Sequence, residues 1–304
     1  MQRQIGVFAA EHLAVGLVEG AKIVGSLRVY PSERGQPQIQ VMPAEDIGTA
    51  IRAQIELVSR GQTVQAIGVG FPGIIRDGVV QDSPNLQQVK GFNLQAALSS
   101  ALRQEDRPVP AFVFNDADVV AAGVAATRGH LDKLVRVWTL GNGVGFGRYP
   151  WAEGVWEGGH SVVTLDPKER FCGCGGVGHL EGIMGHRAMR LRFLDLEPEE
   201  IFENAKSGDA RCSDFVTLWH RALAAATATS IHAEGSGKFF ITGPNARFVD
   251  LNLLDDLLRG MVKMSPLQGS LLEVVSTSDE IGIIGAAVNA ARCRRTSQKS
   301  PESE

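Results

Sequence analysis

Cys172 and Cys174 stand one residue apart, with His160 before them and His179 after them. Two thiols and two imidazoles in a glycine-rich stretch suit zinc, which takes four such ligands in a tetrahedron at roughly 2.0–2.3 Å. A second reading is two buried cysteines beside unrelated histidines. The C-x-C spacing with glycines around it favours the metal. Four protein ligands leave no open position, so such a zinc would be structural. The same stretch carries Glu157 and Glu181, two carboxylates that a bound ion would hold close together.

Three other places bear chemistry. Asn115-Asp116 follows the apolar run Ala111–Phe114. A carboxylate at a strand end could take a proton from a hydroxyl, or cap the next helix. Gly141-Asn142-Gly143-Val144-Gly145-Phe146-Gly147 either brings backbone amides close to a phosphate or makes a hairpin needing positive φ. Asn85, in the loop after Gly73, could bind a hydroxyl or close an Asx turn.

The elements that must position these residues form a pattern that occurs twice. Ile5–Ala10, Leu13–Val18 and Lys22–Val29 read as strands joined by short links. Asp46–Arg60 reads as a helix with Ile47, Ile51 and Ile55 on one face. Ala66–Phe71 and Ala111–Phe114 are further strands, with helices at Leu94–Arg103 and Asp118–Thr127. The order then restarts with strands at Val135–Leu140, after Gly141 and at Trp151–Val155. Helices follow at Leu180–Leu194 and Asp214–His232, strands at Lys238–Thr242 and Leu271–Val275, and a closing helix at Ile281–Ala291. Meandering strands followed by alternating helices and strands, repeated, predict an α/β fold of two lobes with an interlobe cleft. The expected division is residues 1–130, residues 131–291 with the zinc loop, and a disordered tail at 292–304.

Composition narrows the class. The chain has 304 residues, 44% apolar and 21% charged, and a net charge of −4. No basic footprint for nucleic acid is visible, and no apolar run suits a membrane span. Four cysteines, two of them too close for a comfortable disulfide, predict a cytoplasmic protein with reduced thiols.

Taken together, Pro72-Gly73, Pro84-Asn85, Asn115-Asp116, the turn at Gly141, Glu157-x-Gly159-His160 and Cys172-x-Cys174-Gly175 leading to Glu181 resemble the ROK family of sugar kinases and related repressors. The resemblance spans nearly the whole chain. It implies a duplicated ribonuclease-H-like, actin-like fold and transfer of the γ-phosphate of Mg-ATP to a hexose or amino sugar. It implies that Asp116 is the catalytic base, that Gly73, Asn85 and Asn115 lie on the sugar side, and that Glu157, His160 and Glu181 grip ring hydroxyls. His160, Cys172 and Cys174 match zinc ligands, and His179 stands where the family usually has a third cysteine. Gly141, Asn142, Gly143, Gly145 and Gly243 match nucleotide-binding positions. The family's habit is a homodimer.

The chain departs from the family on the nucleotide side. The first phosphate motif, Asp-x-Gly-Gly-Thr-Lys, falls on Val7-Phe8-Ala9-Ala10-Glu11-His12. The metal-holding Asp becomes Val7, the Thr becomes Glu11 and the Lys becomes His12. Asn142 and Phe146 replace Thr and Gly in the second motif, and the adenosine motif reads Thr242-Gly243-Pro244. Phosphoryl transfer rests on positioning and charge stabilisation, each group typically contributing ~2–4 kcal/mol. Two readings follow: a hexose kinase with an atypical phosphate site, or a catalytically impaired relative that binds sugar as a sensor or partner protein.

Overall fold

The structure, a computed structural model, describes residues 2–10, 12–32, 36–83, 86–104, 106–152, 154, 157–276 and 278–298. The chain divides into two compact units. One comprises Met1–Val135, Gly147–Val155 and Thr277–Glu304, the other Arg136–Phe146 and Trp156–Ser276.

The first unit is built on strands β1 (Arg3–Ala9), β2 (Leu13–Glu19), β3 (Lys22–Tyr30), β4 (Ile67–Phe71) and β5 (Ala111–Asn115), in the order β3-β2-β1-β4-β5. The first three form an antiparallel meander, and β4 and β5 add in parallel. Both sheet faces are covered, so β1 and β2 read as near-continuous apolar runs rather than alternating ones. Ile5, Val7, Leu13 and Val15 pack with Ile47, Ile51 and Ile55 of the helix Ala44–Ser59. Ala14 and Val18 pack on the opposite side with Ile283, Ile284 and Ala287.

Those last three residues correct the expected division. The helix Asp279–Ser297 belongs to the first unit, not to the lobe at 131–291. It lies directly on the sheet, because a Cβ at Gly6 or at Gly68 would fall 1.9 Å from the carbonyl oxygen of Ile283 or Ala286. The helix also continues through Ser297, so residues 292–297, expected to be disordered, are helical.

A second sheet, most of it in the second unit, repeats the theme. Strands β6 (Val135–Leu140), β7 (Val144–Tyr149), β8 (Lys238–Thr242) and β9 (Leu271–Val274) are ordered β7-β6-β8-β9. This matches the order β2-β1-β4-β5 of the first sheet, and the fold is the duplicated ribonuclease-H-like, actin-like α/β fold. The third strand expected at Trp151–Val155 has no counterpart in this sheet among the described residues; Glu153 and Val155 lie outside them. The long helix Ala210–Glu234 buries Phe215, Trp219, Ala222 and Leu223 in the core with Phe239 and Ile241 of β8. Two predicted helices differ from expectation. Leu94–Arg103 is helical only over Leu94–Leu98, and Leu180–Leu194 is two short helices, Glu181–Met184 and His186–Arg192. No helix among the described residues is long and apolar enough to cross a membrane.

Candidate functional site

The second unit gathers most of the chemistry-bearing residues. After β7 the chain makes a 3-10 turn, Gly158–His160, in which the His160 amide donates to the Glu157 carbonyl at 2.9 Å. It returns through the Cys172–Cys174 loop to His179, whose backbone bridges to Val162. The Cys172 and Cys174 sulfurs lie 3.4 Å apart, and Cys174 Sγ lies 3.3 Å from His179 Nδ1. His160, Cys172 and Cys174 can each offer a ligand atom within 4.8 Å of the others. The His160 and His179 rings stack at 5.4 Å. Ligands of a tetrahedral zinc lie roughly 3.3–3.8 Å from one another, so the spacing of Cys172, Cys174 and His179 fits that ion. The loop is shaped for His179: a Cβ at Gly176 would lie 2.0 Å from the imidazole, in the space the ring now fills. Burial, foremost, pushes the Cys172 thiol up to about 12, against a hydrogen bond from the Cys174 backbone that lowers it, with the Cys174 side chain and the Glu181 carboxylate also raising it. A buried thiol without a cation stays protonated, and a bound metal reverses that balance.

Glu181 ties this loop to the glycine turn. Its Oε2 accepts the Val144 amide at 3.1 Å and lies 4.0 Å from His160 Nε2, and its Oε1 lies 3.5 Å from Cys172 Sγ. The carboxylate fits there because residue 143 has no side chain; a Cβ on Gly143 would sit 2.4 Å from Oε2. Glu157 keeps solvent-exposed surface, yet lost hydration pushes its carboxyl up from the ordinary value. His160 pulls it down and Glu181 adds a smaller push upward. Two acids and an imidazole thus share one neighbourhood, and such a set suits the donors and acceptors of vicinal hydroxyls.

The turn is shorter than its sequence suggests. Only Gly141–Gly143 reverses the chain; Gly145 already lies inside β7. The Gly141 carbonyl accepts from the His186 amide at 2.9 Å and from Asn245 Nδ2 at 3.0 Å, while the Asn142 carbonyl faces the Arg187 amide at 3.4 Å. These bonds explain the break in the predicted helix Leu180–Leu194. At Gly185 the backbone is extended, and the next two amides point outward to the turn instead of back into a helix. Gly243, at φ +95°, follows β8, where a Cβ would meet the Leu140 carbonyl at 2.4 Å. Gly141 and Gly243 therefore sit at the ends of neighbouring strands. A hollow in the same unit is lined by Phe202, Lys206, Arg247, Phe248 and Leu251, on the segment that follows Gly243.

The first unit holds the remaining candidates. Asn115 ends β5 and caps the helix Asp116–Thr127, its Oδ1 accepting from the Ala117 amide at 2.8 Å. Its Nδ2 donates to the Gly73 carbonyl at 2.9 Å, which brings the Gly73 loop to the strand end. Asp116 is the first residue of that helix, is half-buried, and also accepts from Ala117 at 2.9 Å. The capping reading thus holds for Asn115 and leaves Asp116 at the helix start. Asn85 and Glu11 lie outside the described residues. In the opening hairpin Val7 and Ala9 are entirely buried, and His12 Nε2 pairs with Asp279 Oδ2 at 2.8 Å.

His186, Arg187 and Asn245 escaped the sequence reading. Each acts through a bond to the backbone of the glycine turn or beside it. The available signals were a glycine within a predicted helix, at Gly185, and an Asn just after Gly243-Pro244.

Comparison with known proteins bears on the family and the fold. A sequence model of the ROK family matches residues 20–292. A glucokinase of Pyrobaculum calidifontis is 31% identical over 270 residues, covering 83% of this chain and 87% of that protein. The ROK hexokinase of Thermus thermophilus superposes with a TM-score of 0.79 at 24% identity, covering 97% of this chain and 100% of the other. A ROK glucokinase from Streptomyces griseus, solved with glucose and AMPPNP, gives 0.64 at 24% identity over 95% of this chain and 99% of its own. With its family sequence and its duplicated fold, this chain belongs to the ROK family.

Proposed function

We propose that the protein is a hexose kinase of the ROK type. In this reading Glu157, His160 and Glu181 bind sugar hydroxyls, Asn115, Asn85 and the Gly73 loop serve the same ligand, and Asp116 is the base. The attacking hydroxyl gives its proton to Asp116 as its oxygen bonds to the γ-phosphorus of ATP, and ADP leaves. The observation that carries the reading is the placement of Glu181, one carboxylate joined to the His160–Cys172 loop and to the glycine turn together. Zinc bound by His160, Cys172, Cys174 and His179 would supply a rigid staple for that loop. Gly141, Asn142, Gly143, Gly145 and Gly243 would face the donor nucleotide. The glucokinase of Pyrobaculum calidifontis makes glucose the first sugar to test.

A second reading, a sugar-binding relative without turnover, is favoured by the opening hairpin. Val7 is an apolar core residue where a metal-holding carboxylate is expected, and His12 is engaged by Asp279. The deciding experiment is a coupled phosphotransfer assay over a hexose panel with ATP, other nucleotides and polyphosphate, run beside sugar-induced melting shifts without nucleotide. Turnover with a sugar-induced shift supports the kinase. A shift with no turnover supports the binder, and no shift with any hexose or amino sugar removes both.

A further inference from the structure

Resting on the kinase reading, we propose that Arg187 is the cationic contact for the phosphate groups of the phosphoryl donor at the glycine turn. Its backbone is anchored there, with its amide 3.4 Å from the Asn142 carbonyl. Its side chain runs back over the metal loop: a Cβ built on Gly173 would lie 2.6 Å from an Arg187 guanidinium nitrogen and 3.9 Å from Glu181 Oε1. The missing side chain at Gly173 gives the guanidinium its room. Among the described residues this group makes no side-chain hydrogen bond or ion pair, whereas Arg190, Arg192, Arg211 and Arg247 of the same unit each pair with a carboxylate. An exposed cation thus lies over the Cys172–Cys174 loop, its backbone anchored at the turn and, among the described residues, its side-chain donors unspent.

The turn needs such a charge. Glu181 already takes the Val144 amide, so a phosphate arriving at Gly141–Gly143 meets a carboxylate and one fewer free amide. Apposed like charges repel strongly when partly desolvated. Among the described residues of the opening hairpin, Val7 is buried and His12 is held by Asp279. A guanidinium presents a planar fork that matches phosphate oxygens in pairs, which a lysine ammonium cannot do.

The test uses the whole chain and inorganic tripolyphosphate, followed by calorimetry, in wild type, Arg187→Ala and Arg187→Lys. Binding to wild type is expected, weakened about tenfold or more by Ala and less by Lys, with zinc content and unliganded melting temperature unchanged. Three results overturn the assignment: no binding to wild type, equal affinity in the Ala variant, or joint loss of zinc and thermal stability, which would make Arg187 a brace of the metal loop. Turnover is measured separately. Wild type that binds tripolyphosphate through Arg187 yet transfers no phosphoryl group to any sugar removes the kinase reading and leaves this contact standing.

Discussion

Each unit opens with a hairpin at the same place in its sheet, and the two hairpins differ in chemistry. The first, between β1 and β2, is flanked by apolar core residues; the Ala10 amide donates to the His12 carbonyl across it, and among the described residues the side chain of His12 pairs with Asp279. The second, Gly141–Gly143, is braced by His186 and Asn245 and faced by Glu181. The shared topology shows that the hairpin fold needs neither a phosphate-binding lysine nor a metal-holding acid. Apolar strand faces and a short reversal suffice, so the two copies are free to differ in the groups they present.

The largest effect that would break this comparison is at Asp116. Asp116→Asn should cut turnover by ~10²–10⁴-fold in the phosphotransfer assay and leave sugar affinity within about tenfold. Equal turnover removes the base assignment. Next is the second hairpin itself. Gly143→Ala puts a methyl where the Glu181 carboxylate now lies, which should displace that flexible side chain at a stability cost below the ~1–3 kcal/mol of core overpacking and weaken sugar binding, read by urea titration and melting shift. An unchanged variant would mean that Glu181 relaxes freely and does not fix the turn.

Acid provides a further test of the second unit. His220 Nε2 accepts the Asp250 amide at 2.9 Å, and its Nδ1 lies 2.8 Å from the Val216 carbonyl. Burial lowers its pKa from 6.5, against opposing pulls from that carbonyl and from Asp250. The unfolded chain therefore takes up the proton more readily than the folded one. The contribution to stability is whole above the ordinary value and shrinks as pH falls below it. Urea midpoints should fall between about pH 7.5 and about pH 5.5 in wild type, and less steeply in His220→Gln. Identical slopes would show that His220 is not the sensitive group. The smallest effect belongs to the first hairpin. His12→Ala removes a partly exposed pair worth ~0.2–1 kcal/mol and should leave turnover unchanged; a collapse of activity would return phosphate chemistry to that loop.

Much of this was readable in the residues. The buried strands announced themselves as apolar runs, and the helix Ala44–Ser59 showed its stripe of Ile47, Ile51 and Ile55. The Cys-His loop was visible because its thiols and imidazoles are close in sequence. What escaped depends on contacts distant along the chain. The helix Asp279–Ser297 looked like the end of the second lobe until Gly6 and Gly68 revealed where its backbone rests. Gly185 interrupts a predicted helix because two amides find carbonyl partners on a turn some forty residues earlier, which no local periodicity encodes. Arg187 carries no motif; its guanidinium occupies the space over Gly173, a contact between residues fourteen apart that no local pattern encodes.

The return of that last helix has a consequence for biosynthesis. The amino-terminal sheet leaves the ribosome long before the segment that covers one of its faces. Until residues 279–297 are made, Ala14, Val18, Gly6 and Gly68 stay open to solvent or to a chaperone. A nascent chain stalled before residue 279 would therefore leave this sheet unfinished, and that sheet would be the part prone to aggregate.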